Sequence, residues 1–331
     1  MKFGPVPLSA AQGAVLAHSV AVEGGRLRKG RVISQADVAA MQAAGLKEII
    51  VATLDANDVA EDTAAEALAA AILGQADGLT ATRPFTGRVN LIADGPGVAV
   101  LDVAALEAIN AVHPMITIAT VPPWQQMAKG GMVATIKMIS YAVPQEALNA
   151  AVAAAGAGAG AIRLAQPQIK TASLIITEIP GGVGDKGRTA IAGRLEALGV
   201  DLIETVMTGH QTVPLAKAIA QAKGDLVLVL TGSATSDIDD VAPAALRRAG
   251  GQITRFGMPV DPGNLLFLGD LAGRPVIGLP GCARAPALNG ADWVLSRVAC
   301  GIAVSSADIA GMGVGGLLKE IPTRPMPRRG S

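Results

Sequence analysis

The stretch DLVLVLTGSATSDIDDVAPAAL, Asp225 to Leu246, decides how the chain is read. Its first part is apolar at every interior position without alternation, the pattern of a strand covered on both faces. Strands of that kind belong to parallel sheets with helices packed on either side. The run breaks at Gly232 into hydroxyl residues and three aspartates in four positions, Asp237, Asp239 and Asp240. Pro243 then opens a helix, where its missing N–H costs little.

Working outward, the same alternation continues on both sides. ASLIITEI reads as a strand, GRTAIAGRLEALG as a helix with Ile191, Leu195 and Leu198 on one face, VDLIETVM as a strand and TVPLAKAIAQAKG as a helix. Beyond the opening stretch come the helix APAALRRAGG, the strands QITRFGM and RPVIGLPG, and the helix ALNGADWVLSRVACG. Five strands with intervening helices predict an α/β unit whose ligands sit at the carboxyl ends of its strands. Towards the N-terminus, SQADVAAMQAAGL predicts a helix capped by Ser34, KEIIVATL a strand, and Asn57 to Gly74 an alanine-rich helix. Strand-like runs with one helix after Asp102 make residues 76–165 an α+β middle domain. This segment ends in the Ala/Gly connection AAVAAAGAGAGA, a candidate boundary. We therefore expect an N-terminal α/β segment over 1–75, the middle domain over 76–165, a binding domain over 166–305 and a C-terminal tail over 306–331, within which IPTRPMPRRGS reads as a disordered end.

Composition narrows the function classes. Of 331 residues only 2% are aromatic, which leaves few platforms for base stacking. Basic and acidic residues balance at 27 each, so the positive excess that nucleic-acid backbones require is missing. Two cysteines, Cys282 and Cys300, fit a reducing cytoplasm, and no apolar run reaches membrane-spanning length. The three histidines share no metal-ligand spacing; His210, at a strand end, suits either the lining of the site or, as the favoured reading, a surface or capping role.

Three loops carry the chemistry. TEIPGGVGDKGR places four glycines, Asp185, Lys186 and Arg188 before a helix, which suits either an anion or a plain β–α turn. In TGSATSDIDD, hydroxyls and backbone amides suit phosphate, while the carboxylates repel it unless a hard cation such as Mg²⁺ intervenes. The structural alternative is that Asp239 or Asp240 caps the following helix. GMPVDPGN and GLPGCARAP form rigid turns, and Arg284 suits an anion or the surface equally.

TGSATSDIDDVAPAAL aligns without a gap on the signature of the molybdopterin-binding domain shared by molybdopterin adenylyltransferases and molybdotransferases, with Thr231, Gly232, Asp240, Pro243 and Ala244 on signature positions. GGVGDKGRTAIAGRLEALGVDL resembles that family's first loop and helix, with Asp185 at the acidic position. DPGN and GLPGCARAP are similar to the turns of the molybdotransferase branch, and LRKGRVISQADVAAMQAAGLKEIIVA to the segment before its binding domain. The arrangement looks most like the region fused ahead of bacterial molybdenum cofactor cytidylyltransferases. Ser233 and Thr235 stand where the signature has glycines, Asn264 where the molybdotransferase has lysine, and Cys282 where it has asparagine.

The resemblance implies a three-layer α/β/α fold with a mostly parallel sheet, and molybdopterin as ligand. It implies Asp240 as the catalytic acid with Asp237 as helper, the two also holding Mg²⁺. Ligand contacts are expected from Thr231, Gly232, Ser233, Thr235, Ser236, Asp185, Gly263, Asn264, Gly281 and Arg284. Two functions stay open: Mg-dependent molybdate insertion or adenylyl transfer using ATP, and a carrier or sensor that holds the pterin phosphate unchanged. A nucleotide-processing hydrolase is a weaker third, since the same domain type is recruited there. Expected partners are the pterin phosphate, ATP and molybdate, a cytidylyltransferase or molybdoenzyme, and a second copy of the chain, because the apolar strands of the middle domain need burial.

Overall fold

The computed structural model describes residues 1–156 and 160–318. Contacts divide the chain into two units, Met1–Asp94 with Ala99–Pro123 and Lys129–Leu164, and Gly95–Val98 with Trp124–Ala128 and Ala165–Ser331. Residues 1–75 and 76–165 contribute chiefly to the first. The expected C-terminal IPTRPMPRRGS and the central part of the Ala/Gly connection lie outside the described residues.

In the first unit, Glu48–Thr53 pairs antiparallel with Lys2–Pro7 and with Val15–Leu16. Helix Gln35–Ala43 closes over this sheet with Met41 fully buried, and its expected cap forms, since Asp37 N donates to Ser34 Oγ while Ser34 N donates to Asp37 Oδ2. A four-stranded antiparallel sheet follows, ordered Ile116–Thr120, Met132–Met138, Arg88–Ala93 and Leu79–Ala81. Helices Glu61–Leu73, Val103–Val112 and Gln145–Ala154 complete it; the second follows Asp102 as the sequence predicts, and Asp102 Oδ1 caps it by accepting from Ala105 N.

The second unit is built on a six-stranded sheet. Its strands are β1 (Thr171–Glu178), β2 (Asp201–Gly209), β3 (Leu226–Leu230), β4 (Gln252–Phe256), β5 (Phe267–Leu271) and β6 (Arg274–Leu279), in the spatial order β2-β1-β3-β6-β5-β4. The four strands β2, β1, β3 and β6 pair in parallel, and β5 runs antiparallel to both neighbours. Helices α1 (Arg188–Glu196), α2 (Thr212–Gln221), α3 (Val241–Arg248), α4 (Gly290–Ala299) and α5 (Ser306–Ala310) fill the connections. Ile309 and Met312, at and just beyond α5, are buried in the same core, so residues 306–313 are ordered parts of the unit.

All five residues of β3 are buried. Their side chains alternate between two layers: Leu226, Leu228 and Leu230 meet Ile191 and Leu195 of α1 and Val294 and Leu295 of α4. Val227 and Val229 meet Leu215 and Ile219 of α2 and Ala245 and Leu246 of α3. This is the expected three-layer α/β/α arrangement, with each fully buried aliphatic side chain contributing about 1.5–3 kcal/mol.

The strand the sequence does not announce is β5. It arises from LLFLGDL next to the Pro-Gly turn and returns through Ala272 and Gly273, both at positive φ, 56° and 84°, as a two-residue hairpin demands. Phe267 stands directly opposite Gly278, and a Cβ on Gly278 would lie 2.0 Å from the ring. The aromatic face thus takes the space that the glycine leaves.

At the amino ends of the strands, Ser173 Oγ donates to Glu204 Oε1 at 2.6 Å, Lys223 N donates to the same oxygen at 2.7 Å, and Gly224 N donates to Ser173 Oγ at 2.8 Å. The Ser173 hydroxyl, then the Lys223 amide, hold the Glu204 carboxyl below its ordinary value of 4.5. A carboxyl lowered by folding stabilises the fold above its unfolded value and loses that contribution as pH falls through the folded one.

Two outcomes are expected. Gly278→Ala forces the Phe267 ring from its place and lowers stability by about 1–3 kcal/mol in urea denaturation. On acidification from 4.5 downward, Glu204→Gln loses less stability than the parent chain, measured as the urea midpoint across pH.

Candidate functional site

The loops that follow β1, β2, β3 and β6 meet at the carboxyl ends of the sheet. Their organising contacts run through Thr177, the buried residue near the end of β1. Its Oγ1 accepts the Gly232 N–H at 2.9 Å and lies 2.8 Å from His210 Nδ1. Gly232 comes so near that a Cβ there would sit 2.7 Å from the Thr177 carbonyl oxygen, so only glycine fits. The Gly232 amide, expected to face a ligand, is therefore engaged within the protein.

Within the loop, Thr231 and Thr235 are buried with their hydroxyls 3.3 Å apart, while Ser233, Ser236 and Asp237 are exposed. The carboxylates divide their roles. Asp240 is the N-cap of α3: Oδ1 accepts from Val241 N at 2.7 Å and Oδ2 from Ser236 N at 2.9 Å. Asp237 Oδ1 accepts from Asp239 N at 2.8 Å, and Asp239 pairs with Arg247 at 2.6 Å. The cap is thus Asp240, one of the two aspartates the sequence offers for it, and Asp239 is a surface ion pair.

Among the described residues no group of three His, Cys, Asp or Glu side chains is arranged to hold a metal. Each Asp240 oxygen accepts one backbone amide, and Asp237 Oδ1 accepts one from Asp239 N.

Across from this loop, Arg284 reaches from the short 3₁₀ turn Gly281–Arg284 that follows β6. Its Nη2 donates to the Thr231 carbonyl at 2.8 Å and its Nη1 to the Lys186 carbonyl. Gly187, at φ 108° and at the N-cap of α1, lets the first loop come this close, since a Cβ would fall 2.8 Å from Arg284 Cγ. Asp185 is exposed on the same loop, its carbonyl accepting from Arg188 N at 3.0 Å.

Among the described residues no carboxylate pairs with Arg284, and burial alone pushes its guanidinium below the ordinary value. Of its five N–H groups two are spent on carbonyls, which leaves donors for an anion. Arg194, close by on α1, is the opposite case. It pairs with Asp292 at 2.5 Å and donates to the carbonyls of Ala190, Ala283, Ala285 and Ala287, so it is saturated and structural.

The remaining expected contacts lie on the Pro-Gly turn. Asn264 Nδ2 donates to the Met258 carbonyl at 3.4 Å, and Gly263, at φ 145°, packs against the Gly290 amide. Gly290 N donates to the Pro262 carbonyl at 2.8 Å, so this turn braces the start of α4. Burial pushes the Cys300 thiol up to about 11, which removes it as a nucleophile at neutral pH.

Between α1 and the segment from Arg284 to Leu295 lies a pocket of roughly 640 Å³. Its lining combines small and aliphatic residues with Gln126, Thr189, Arg194 and Asp292, and Gly187 and Arg284 belong both to it and to the loops just described. No expectation drawn from sequence includes it, because it joins residues far apart in the chain without a motif.

Residues 170–297 match the family described as "Probable molybdopterin binding domain", and this part of the chain is a domain of that family. Residues 5–53 match a "Domain of unknown function (DUF8806)". No curated protein matches the chain. Among solved structures, the molybdopterin biosynthesis MoeA protein of Pyrococcus horikosii is 13% identical, over 85% of this chain and 70% of that one, with a TM-score of 0.27. The protein CinA with unknown function from Thermoplasma acidophilum is 18% identical, over 35% of this chain and 90% of that one, with a TM-score of 0.26. Among the described residues no helix is long and apolar enough to cross a membrane.

Because Asp240 closes the loop onto α3, Asp240→Ala is expected to cost about 0.5–2 kcal/mol of stability in thermal or urea unfolding. Asp239→Ala, which removes an exposed pair, is expected to cost less than about 1 kcal/mol in the same measurement.

Proposed function

We propose that the second unit binds molybdopterin through its phosphate, and that the chain serves molybdenum cofactor biosynthesis. The observation that carries this is Arg284: a half-buried guanidinium with no acidic partner among the described residues, tied to the first loop and to the end of β3 at the mouth of a parallel sheet. A desolvated charge without a counter-ion is costly, and an anionic ligand supplies the compensation. The exposed hydroxyls of Ser233 and Ser236 and the glycine-rich Gly181–Gly187 loop add neutral donors around it.

Between transfer chemistry and carriage, the loop residues favour carriage: Ser233 and Thr235 stand where the resembled signature has glycines, and Asn264 where the molybdotransferase branch has a lysine for phosphate or molybdate. In molybdate insertion or adenylyl transfer, Asp240 and Asp237 would hold Mg²⁺ against the pterin phosphate and ATP. On this view the unit is a molybdopterin carrier or sensor that hands its ligand to a cytidylyltransferase or molybdoenzyme, and Thr231, Thr235 and Gly281 shape the mouth.

Isothermal titration of the full chain with molybdopterin, followed by incubation with MgATP and molybdate, tests this. Binding without adenylylated or molybdenum-loaded product is expected, and Arg284→Lys, which keeps the charge but loses the planar fork, is expected to weaken binding about tenfold. Product formation that Asp240→Asn abolishes would establish transfer instead. Failure of the parent chain to bind molybdopterin at all would defeat the proposal.

A further inference from the structure

Arg284 stands at a junction. On one side are the loop ends, and on the other the pocket of roughly 640 Å³, a size within the range of small-molecule sites. Its apolar lining comes from Ala190 and Gly193 of α1, Ala197 at the end of that helix, and Pro286, Leu288 and Leu295. Small and aliphatic residues make most of the lining apolar. The ion pair of Arg194 and Asp292 lies in it as well, but those groups already satisfy one another.

Two polar side chains of the lining, Thr189 and Gln126, make no side-chain hydrogen bond among the described residues; Thr189 is exposed, and Gln126 is the one of the two that is partly buried. Gln126 belongs to the short segment Trp124–Ala128, which pairs with Gly97 and Val98 within the second unit and lies outside the matched stretch 170–297. It lines the pocket, and among the described residues its carboxamide has no hydrogen-bond partner. A carboxamide offers a donor and an acceptor side by side, the complement of a ring edge that carries an adjacent C=O and N–H. A polar group so placed in a mostly apolar lining selects by what it leaves unpaired when the wrong ring enters.

We infer that this pocket holds the flat heterocycle of a ligand whose phosphate rests on Arg284, and that Gln126 is the residue that reads the polar lactam edge of that ring. The inference deepens the molybdopterin-binding proposal and rests on it for the identity of the ring, since a pterin carries such an edge. The pocket and the selection by Gln126 stand on the geometry. The mostly apolar lining suits the faces of a ring, and Gln126 gives a segment outside the matched stretch a part in the site.

The test titrates the full chain and two variants, Gln126→Ala and Ala190→Leu, with molybdopterin, with GMP and AMP, and with inorganic phosphate. Circular dichroism melting checks that both variants fold. The expected result is that Gln126→Ala weakens molybdopterin binding about tenfold to a hundredfold and Ala190→Leu weakens it at least as much, while phosphate binding is unchanged in both. Binding of GMP in place of molybdopterin, lost in the same two variants, upholds the pocket inference and defeats the pterin assignment. Molybdopterin binding that neither substitution alters overturns the pocket inference and leaves the pterin assignment standing. If no ring-bearing ligand binds more tightly than phosphate, both fall.

Discussion

The burial of β3 on both faces is the constraint from which the second unit follows. A strand whose five residues are all covered requires one layer of helices over Leu226, Leu228 and Leu230 and another over Val227 and Val229. Parallel neighbours then require the chain to cross over and re-enter at the same end each time. The loops that lead out of β1, β3 and β6 therefore emerge together, and polar residues distant in sequence become neighbours there. Gly232 beside Thr177, and Arg284 beside Thr231 and Lys186, are consequences of that crossing pattern.

Two arginines show how the same side chain divides between fold and function. Arg194 has a carboxylate and four carbonyls, and it fastens the segment Ala283–Ala287 to α1. Arg284 has carbonyls alone, which orient the guanidinium but do not neutralise it. Partial dipoles return only part of the hydration that burial removes, so the second arginine keeps an electrostatic demand that the first does not.

Much of this was legible in the sequence. The uninterrupted apolar run of β3 announced a two-sided sheet, Ser34 and Asp102 announced helix starts, and the gap-free TGSATSDIDDVAPAAL match announced the domain at 170–297. β5 was hidden because its hairpin is Ala-Gly, and Ala272 at positive φ is not a residue that signals such a turn. Two aspartates were equal candidates for the cap of α3, and only the path of the loop separates Asp240 from Asp239. Thr177 and Gln126 carry no local signal at all. Each matters through a partner or a cavity brought near by tertiary packing, 55 residues away in the case of Gly232 and Thr177.

The two ends of the sheet are fastened by different means. At the amino ends, Glu204, Ser173, Lys223 and Gly224 form a closed clasp, reinforced by Thr171 Oγ1 on Asp225 at 2.7 Å. At the carboxyl ends, the glycines at 181, 182, 184 and 187 leave the first loop dependent on a few long-range ties, Arg284 foremost. A guest that engages Arg284 would therefore act on the first loop and the end of β3 at once, at the pole opposite the clasp.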